Sequence, residues 1–302
     1  MRKFKVLFLG GAKRVSLAER FIKAGEKNNI DIEVFTYELN DKVPFIAIGK
    51  VINGKKWSDK SIYDDLKSII DTKNISLVIA NVDDATITLG HLNNLFPSLN
   101  LITSSVGACQ IFLDKEKMFE VCSSENINLI PFSTTNYPIF VKPKKGSSSK
   151  DTHIIQNKTE MGIFLSKRDK TKYVFQEYIK GIEYTVDAYV SRNKEFIGAV
   201  IRVRTEVTGG ESTTATIIDD DEILTETKKV LSKYDLFGPI TLQFIRSNDK
   251  LYFLEINPRF GGGVIASIEA GFDIPLIMIR DYLGLKLETK KKYKKLIMTR
   301  CY

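Results

Sequence analysis

Histidine and cysteine are scarce in this chain of 302 residues, and their scarcity limits its chemistry. There are two histidines, His91 and His153, so a mechanism built on histidine is disfavoured and a metal site with several histidines is excluded. The three cysteines, Cys109, Cys122 and Cys301, are odd in number and widely spaced. That spacing argues against a disulfide scaffold or a zinc site and favours a reducing cytoplasm.

Long apolar segments are also missing. No apolar run approaches the roughly 20 residues that a helix needs to cross a bilayer. The run Val6 to Leu9 is too short for the hydrophobic region of a secretory signal. We therefore expect a cytoplasmic protein with no membrane partner. Hydrophobic residues still make up 43% of the chain, which is enough for a large core in two or three compact units.

The formal net charge is +8, and such an excess raises the question of nucleic-acid binding. The basic residues are spread along the chain, however, and only the run Lys286 to Lys295 is dense. We interpret this run as a solvated tail or helix face and expect no nucleic-acid partner. Steep salt-dependent binding that is lost when the run is truncated would support the alternative.

The first hundred residues alternate between predicted strands and helices. The strands cover 5–10, 32–37 and 77–80, and the helices cover 16–28, 61–72 and 86–95. This rhythm predicts a small parallel sheet with helices on both faces. Gly10-Gly11 after the first strand is reminiscent of a dinucleotide-binding loop, but the third glycine is missing and Lys13-Arg14 intervene. We prefer a tight strand-to-helix turn.

The pattern changes after about residue 103. Segments 173–179, 183–190 and 196–203 alternate as antiparallel strands do, and 240–245 with 251–256 reads as a hairpin. A strand is predicted over 137–143, and helices are predicted over 114–124 and 221–234. The second region is thus predicted to be α+β with antiparallel sheet.

The predicted hairpin carries the most informative polar residues. Gln243 lies on its first strand, and Glu255 and Asn257 lie on its second. Glu255 and Asn257 are two positions apart, so their side chains point to the same face. Three oxygen-bearing side chains suit Mg²⁺ with bound phosphates. Arg259 follows, where its planar fork can hold a transferring phosphate, and Gly261 to Gly263 allow a tight turn beside a ligand.

A second segment delivers a lysine into a loop of small residues. Lys142 ends a predicted strand and offers a point charge for phosphate oxygens. In the run Gly146-Ser147-Ser148-Ser149-Lys150, backbone N–H groups and hydroxyls can approach an anion closely. The spacing is not that of a Walker A loop. A flexible basic turn is the alternative interpretation.

Two further segments are less specific. The backbone around Glu177 to Ile179 can read an adenine edge, and Glu183 can accept from ribose hydroxyls. Taken alone, an ordinary amphipathic hairpin explains this segment better. Arg202 and Arg204 project from one face of a predicted strand and can hold a carboxylate or an acyl phosphate. Exposed charges on an edge strand are the alternative.

Taken together and in this order, the segments resemble the ATP-grasp superfamily, above all its carbamoyl-phosphate-synthase-like and D-alanine–D-alanine-ligase-like branches. The matching runs are 114–118, 141–143, 146–150, 176–179, 183–187 and 255–263. The resemblance implies an α/β and α+β fold, with a small parallel-sheet pre-ATP-grasp domain at 1–103 and an ATP-grasp fold at 104–302 whose antiparallel sheets grip ATP. A lid subdomain would span about 114–175 and a catalytic subdomain about 176–302.

The resemblance also implies which residues bind the nucleotide. They are Lys115 and Lys142 for the phosphates, Gly146, Ser147, Ser148 and Ser149 as a lid over them, Glu177, Tyr178 and Ile179 for adenine, and Glu183 for ribose. Two positions depart from the family pattern. Asp151 stands where a glycine usually follows the lid run, and Gln243 stands where many members have an acid, although related branches also use glutamine.

Metal binding and catalysis are implied for a second set of residues. Gln243, Glu255 and Asn257 would hold two magnesium ions, with manganese as the alternative metal. The implied catalytic residues are Arg259 on the transferring γ-phosphoryl group, Lys142 and, with less support, Arg204. Arg202, Arg204, Glu211 and Ser212 fall where family members approach phosphate or substrate.

The implied activity is that of an ATP-dependent carboxylate–amine ligase. ATP would phosphorylate a carboxylate, and an amine would then displace phosphate from the acyl phosphate. Its partners would be a small-molecule carboxylate and a small-molecule amine, and a homodimer is the assembly that the resemblance allows. A bicarbonate-activating carboxylase or carbamoyl-type enzyme and a non-catalytic nucleotide-binding regulator remain alternatives.

Overall fold

Residues 3–146, 150–208, 211–289 and 292–299 are described by the structure, a computed structural model. Side chains are described throughout these ranges except at 204–208 and 211–213. The expected lid serines Ser147, Ser148 and Ser149 therefore lie outside the described residues, as do the side chains of Arg204, Glu211 and Ser212. Among the described residues, no helix combines the length and apolar character needed to span a membrane.

The first part of the chain forms a parallel four-stranded sheet. Its strands are β1 (Phe4–Leu9), β2 (Ile32–Glu38), β3 (Lys50–Asn53) and β4 (Leu77–Ala80), in the order β3-β2-β1-β4. Helices α1 (Val15–Glu26), α2 (Ile62–Lys73) and α3 (Asp83–Leu95) connect or follow them. The apolar run of β1 is almost entirely buried, as expected for a strand covered on both faces. The predicted small parallel sheet is confirmed.

A small antiparallel sheet follows two short helices. After α4 (Val106–Phe112) and α5 (Lys115–Ser123), the strands β5 (Ile139–Pro143), β6 (His153–Ile155) and β7 (Tyr173–Glu177) pair in the order β6-β5-β7. Helix α6 (Lys158–Lys167) buries Met161 and Phe164 against this sheet. The sheet therefore has its own small apolar core, and Lys142 is carried on its central strand.

The largest sheet has six antiparallel strands. They are β8 (Ile182–Val190), β9 (Phe196–Thr208), β10 (Glu211–Ile218), β11 (Gly238–Ser247), β12 (Lys250–Asn257) and β13 (Ile297–Thr299), in the order β12-β11-β8-β9-β10-β13. Helix α7 (Asp221–Leu231) lies between β10 and β11. The predicted hairpin is the β11–β12 pair, which confirms the antiparallel second region.

The parallel sheet and the six-stranded sheet share one apolar core. Helices α8 (Val264–Glu269) and α9 (Ile274–Tyr282) contribute to it together with α1 and β1. The ring of Phe21 in α1 meets the ring of Phe260 edge-on, with centroids 6.2 Å apart. This shared packing fixes the parallel sheet against the loop that follows β12. The domain boundary near residue 103 stays a prediction.

A buried ion pair crosses the middle of the six-stranded sheet. Arg202 on β9 is only 2% exposed, and its Nε donates to Asp187 Oδ2 on β8 over 2.8 Å. The Ser267 hydroxyl donates to the same carboxylate over 2.6 Å. Because β9 lies between β8 and β10, the interpretation of Arg202 as an exposed charge on an edge strand is wrong. The sequence pattern shows that Arg202 lies on a strand, but not which strands flank it.

Breaking this pair should destabilise the protein strongly. Asp187→Ala leaves the Arg202 guanidinium buried without its anion, so the free energy of unfolding should fall by about 3–5 kcal/mol. The control is Asp235→Ala, which removes an exposed partner of Lys194 and should cost no more than about 1 kcal/mol. Urea denaturation followed by circular dichroism measures both. Equal losses in the two variants would contradict the prediction.

Candidate active site

A cleft of about 1600 Å³ opens between the parallel sheet and the six-stranded sheet. The loops after β1 and β4 line one wall, and β11, β12 and the following glycine loop line the other. Predicted site residues in its lining are Gly146, Gln243, Glu255, Asn257 and Arg259. The structure thus brings the three predicted metal residues and Arg259 to one surface, whereas Lys142 and Lys115 lie outside this lining.

The strand pairing places the three predicted metal-binding residues side by side. Gln243 on β11 pairs directly with Glu255 on β12, and a bulge follows between Gln243 and Phe244. Asn257 lies two residues further along β12, and its Nδ2 donates to Glu255 Oε1 over 3.1 Å. Adjacent side chains on paired strands are the reason that residues 243 and 255 meet.

The donor set fits Mg²⁺ bound together with phosphates. It offers one carboxylate from Glu255 and two amide oxygens from Gln243 and Asn257, and Mg²⁺ commonly binds through one or two carboxylates with substrate phosphates and water. Among the described residues there is no group of three or more acids, histidines or cysteines that forms a metal cage by itself. Phosphate oxygens would therefore have to complete the coordination.

Lys142 on β5 is buried and lies close enough to carboxylates of the other sheet to interact with them. Burial lowers the pKa of Lys142 from 10.5 to about 8. The charges of Glu255 and Glu183 oppose this decrease, whereas the charge of Lys115 adds to it. Three other predicted site residues, each from a different segment, thus act electrostatically on Lys142.

Lys115 reaches the start of the glycine–serine loop. It is the first residue of α5, whose N-terminus is capped by the Asp114 side chain. Its Nζ donates to the Gly146 carbonyl over 2.7 Å, and its backbone N–H donates to the Lys144 carbonyl over 2.9 Å. These two bonds tie the helix to the loop, so Lys115 and Gly146 lie together as the resemblance implies.

The predicted adenine segment lies outside the lining of the cleft, as far as the described residues show. The Glu177 N–H donates to the Pro131 carbonyl over 3.0 Å, and the Tyr178 N–H donates to the Pro138 carbonyl over 3.1 Å. Two of the backbone donors predicted to face adenine are thus engaged within the protein. Adenine binding by Glu177, Tyr178 and Ile179 and ribose binding by Glu183 stay predictions.

The parallel sheet contributes residues that the sequence does not predict. Asp83, the first residue of α3, accepts from Arg259 Nε over 2.6 Å. Arg14, after β1, donates to the carbonyls of Gly261 and Phe260 over 3.1 and 3.3 Å. The sequence carries one signal, Lys13-Arg14 after the glycine pair, which we interpreted only as a departure from a dinucleotide-binding loop.

The side chains around the loop after Asn257 require glycine at two of its positions. A Cβ at Gly263 would lie 2.3 Å from Nη1 of the buried Arg202, and a Cβ at Gly261 would lie 2.9 Å from the Thr241 hydroxyl. Neither neighbour can move easily, since Arg202 is held by Asp187 and Thr241 donates to the Arg259 carbonyl over 3.0 Å. The loop therefore lies directly on the six-stranded sheet.

The glycine pair after β1 forms a turn that is held by hydrogen bonds within the protein. Gly10 has a φ of +71°, a conformation that glycine adopts without strain. The Gly11 N–H donates to the Thr36 hydroxyl oxygen over 3.1 Å, and the Thr36 hydroxyl donates to Glu38 Oε1 over 2.7 Å. Burial raises the pKa of Glu38. This arrangement matches the tight strand-to-helix turn that we expected.

Asp151, the departure after the lid run, has a clear structural reason. Its φ is +54°, where glycine is the usual residue and Asp is tolerated. Its carboxylate accepts from the Tyr173 hydroxyl over 2.5 Å and from His153 Nε2 over 2.8 Å. These bonds and the nearby Arg168 lower the pKa of Asp151 to about 2. Asp151 thus joins the end of the loop to β6 and β7.

Lys142→Met should stabilise the protein in the absence of nucleotide and metal. Below the folded pKa of about 8, the folded state carries the full cost of burying the ammonium group. That cost is about 3 kcal/mol for a shift of this size, and it declines as the pH rises toward the unfolded pKa. The gain should therefore be largest at neutral pH and shrink toward about pH 10.

Urea denaturation in EDTA across this pH range measures the effect of Lys142→Met. Lys158→Met changes an exposed lysine of α6 and is the matched control, with no pH-dependent gain expected. A gain for Lys142→Met that does not change with pH would contradict the burial cost as its cause.

Comparison with known proteins agrees with this geometry. Residues 169–300 match a family model described as ATP-grasp in the biosynthetic pathway with Ter operon. The chain is 36% identical over 89 residues to a D-alanine–D-alanine ligase from Petrotoga mobilis, covering 29% of this chain and 28% of that protein. It is 26% identical over 281 residues to the carbamoyl phosphate synthase large chain of Clostridium perfringens, covering 84% of this chain and 26% of that protein. The chain spans about a quarter of the length of these relatives.

A solved structure shows the same fold. The biotin carboxylase domain of Hydrogenobacter thermophilus 2-oxoglutarate carboxylase, a dimer with MgADP and bicarbonate, superposes with a TM-score of 0.75 at 14% identity. The match covers 98% of this chain and 74% of that one. The curated relatives are those of the two branches that the sequence motifs resemble. The chain has the ATP-grasp fold, and its sequence is similar to ATP-grasp proteins over residues 169–300.

Proposed function

We propose that this protein is an ATP-dependent ligase that activates a carboxylate as an acyl phosphate and joins it to an amine. The observation that carries the proposal is the strand pairing that sets Gln243, Glu255 and Asn257 side by side in a cleft that Arg259 also lines. The buried ammonium group of Lys142, which another sheet carries, interacts electrostatically with Glu255. ATP-grasp relatives are ligases that use ATP, and this charge arrangement suits the triphosphate of ATP.

The phosphate end of the site would be built from two lysines and the hairpin. Lys142 and Lys115 would neutralise phosphate oxygens, and phosphate binding would favour the charged form of Lys142. Gln243, Glu255 and Asn257 would hold magnesium, and we propose two ions. When bound, magnesium supplies charge neutralisation for the transferring phosphoryl group.

The transfer itself needs no protein nucleophile. A substrate carboxylate oxygen attacks the γ-phosphorus, and the bond to ADP breaks. The amine nitrogen then attacks the acyl carbon, and phosphate leaves with the electrons of the carbon–oxygen bond. Arg259 would stabilise the γ-phosphoryl group, and Arg204 is proposed to help there. Burial raises the pKa of Cys109 to about 11 and also raises that of Cys122, so neither described cysteine is an active thiolate.

Bicarbonate is the second candidate for the activated acid. A structural neighbour is a complex with MgADP and bicarbonate, and bicarbonate, like a carboxylate, has an anionic oxygen that can attack a γ-phosphate. A non-catalytic regulatory role is less favoured, because Lys142, Glu255, Asn257 and Arg259 are all retained. The carboxylate and amine are proposed to be small molecules, and sedimentation would test the proposed homodimer.

Lys142→Ala and Glu255→Ala should each lower substrate-dependent ADP release by roughly a hundredfold or more, because each removes charge stabilisation of the transferred phosphoryl group. The assay screens carboxylic acids and bicarbonate with amines, and mass spectrometry identifies the product. Lys158→Ala, an exposed lysine on α6, is the control and should keep full activity. Unchanged ADP release in both active-site variants would refute the proposal.

A further inference from the structure

Arg259 is held by a residue from the parallel sheet. Its Nε donates to Asp83 Oδ1 over 2.6 Å, although the two residues are 176 positions apart in the chain. The other side-chain contacts of Arg259 are longer: Nη1 lies 3.3 Å from the Phe260 carbonyl, and Nη2 lies 3.4 Å from Asn257 Oδ1. The Asp83 contact is thus the strong one that orients the guanidinium.

The contact uses one end of the guanidinium and leaves the other directed at the metal residues. Asp83 binds Nε, whereas Nη2 faces Asn257, which in turn donates to Glu255. A planar guanidinium that is fixed at Nε presents its two Nη groups in a defined plane. That plane faces the place where a γ-phosphate would lie if the metal site forms as proposed.

Asp83 is itself well placed to act as a fixed anion. It begins α3 directly after β4, and a carboxylate in the first turn of a helix is stabilised by the helix dipole. Its side chain is 23% exposed, and that of Arg259 is 11% exposed. The pair is therefore partly shielded from water and faces the same cleft.

We propose that Asp83 is a positioning residue for phosphoryl transfer: it orients Arg259 so that the Nη groups of the guanidinium bind the γ-phosphate. The inference rests on the proposed function. Asp83 does not touch the reacting atoms in this assignment. It acts through Arg259 and makes the parallel sheet part of the catalytic geometry.

A merely structural role for the Asp83–Arg259 pair is the competing explanation. The loop after β12 has a second tie to the parallel sheet, because Arg14 donates to the carbonyls of Gly261 and Phe260. The ring of Phe21 also packs against Phe260. The backbone of the loop is thus held without Asp83, whose carboxylate accepts from the Arg259 side chain. Loss of Asp83 should release the guanidinium and not the loop.

The test separates γ-phosphate binding from nucleotide binding. Isothermal titration compares Mg·ADP with the Mg complex of adenylyl imidodiphosphate, which carries a non-hydrolysable γ-phosphate. In Asp83→Asn, Mg·ADP affinity should be unchanged, while the preference for the γ-phosphate-bearing nucleotide should fall roughly tenfold, as expected for the loss of a charged hydrogen bond. Asp83→Glu, which keeps the carboxylate, should recover most of the preference.

Two further variants sharpen the test. Asp220→Asn changes another aspartate at a helix N-terminus that pairs with an arginine, Arg246, outside the cleft, and it should leave both affinities unchanged. Adding Asp83→Asn to Arg259→Ala should have no additional effect, because the two residues would act as one unit. Asp83→Ser carries the same test if Asp83→Asn does not fold.

The possible outcomes are distinct. An unchanged γ-phosphate preference in Asp83→Asn, or an equal weakening of both nucleotides, overturns the positioning role. Additive losses in the double variant overturn it as well. If the wild-type protein binds neither nucleotide, the proposed function fails. If the wild-type protein binds both nucleotides and Asp83→Asn binds them with the same affinities, only the positioning role fails.

Discussion

The site depends on the burial of one ammonium group close to carboxylates from another sheet. Desolvation lowers the pKa of Lys142, and the charges of Glu255 and Glu183 oppose part of that decrease. Lys142 is carried by the three-stranded sheet and Glu255 by the six-stranded sheet, so the balance exists only when the two sheets face each other. A phosphate group placed there would satisfy the lysine further, which links nucleotide binding to the relative position of the sheets.

Much of the fold follows from sequence because its central strands have strong patterns. β1 and β4 are short apolar runs ended by polar or glycine residues, and the β11–β12 hairpin is interrupted by Asn248-Asp249, both at positive φ. The edge strands β3 and β13 and the short strand β6 are not predicted. They have three or four residues, of which only Ile155 is buried, so an apolar pattern is too short to predict them and their positions depend on backbone pairing.

The site is predictable where its residues are close in sequence. The spacing of Glu255 and Asn257 fixes a shared face, and pairing across the hairpin then brings Gln243 beside them. Arg202 shows the limit of this reasoning, because its exposure depends on which strands flank β9, and pairing order is a non-local property. Asp83 has no local pattern that connects it to Arg259, since their contact arises only when the parallel sheet packs on the loop after β12.

The topology of the parallel sheet explains why Arg14 and Asp83 both lie at the edge that faces the loop after β12. Arg14 and Asp83 follow β1 and β4, which are neighbours in the sheet, and parallel strands bring their carboxyl ends to one edge. Glu38 ends β2 at the same edge. Ligands of open α/β sheets commonly lie at this edge. Here the turn after β1 donates to Thr36, and Arg14 donates to the loop after β12. The edge therefore serves as a wall of a shared cleft, and its residues Asp83 and Arg14 hold the Arg259 side chain and the loop that follows it.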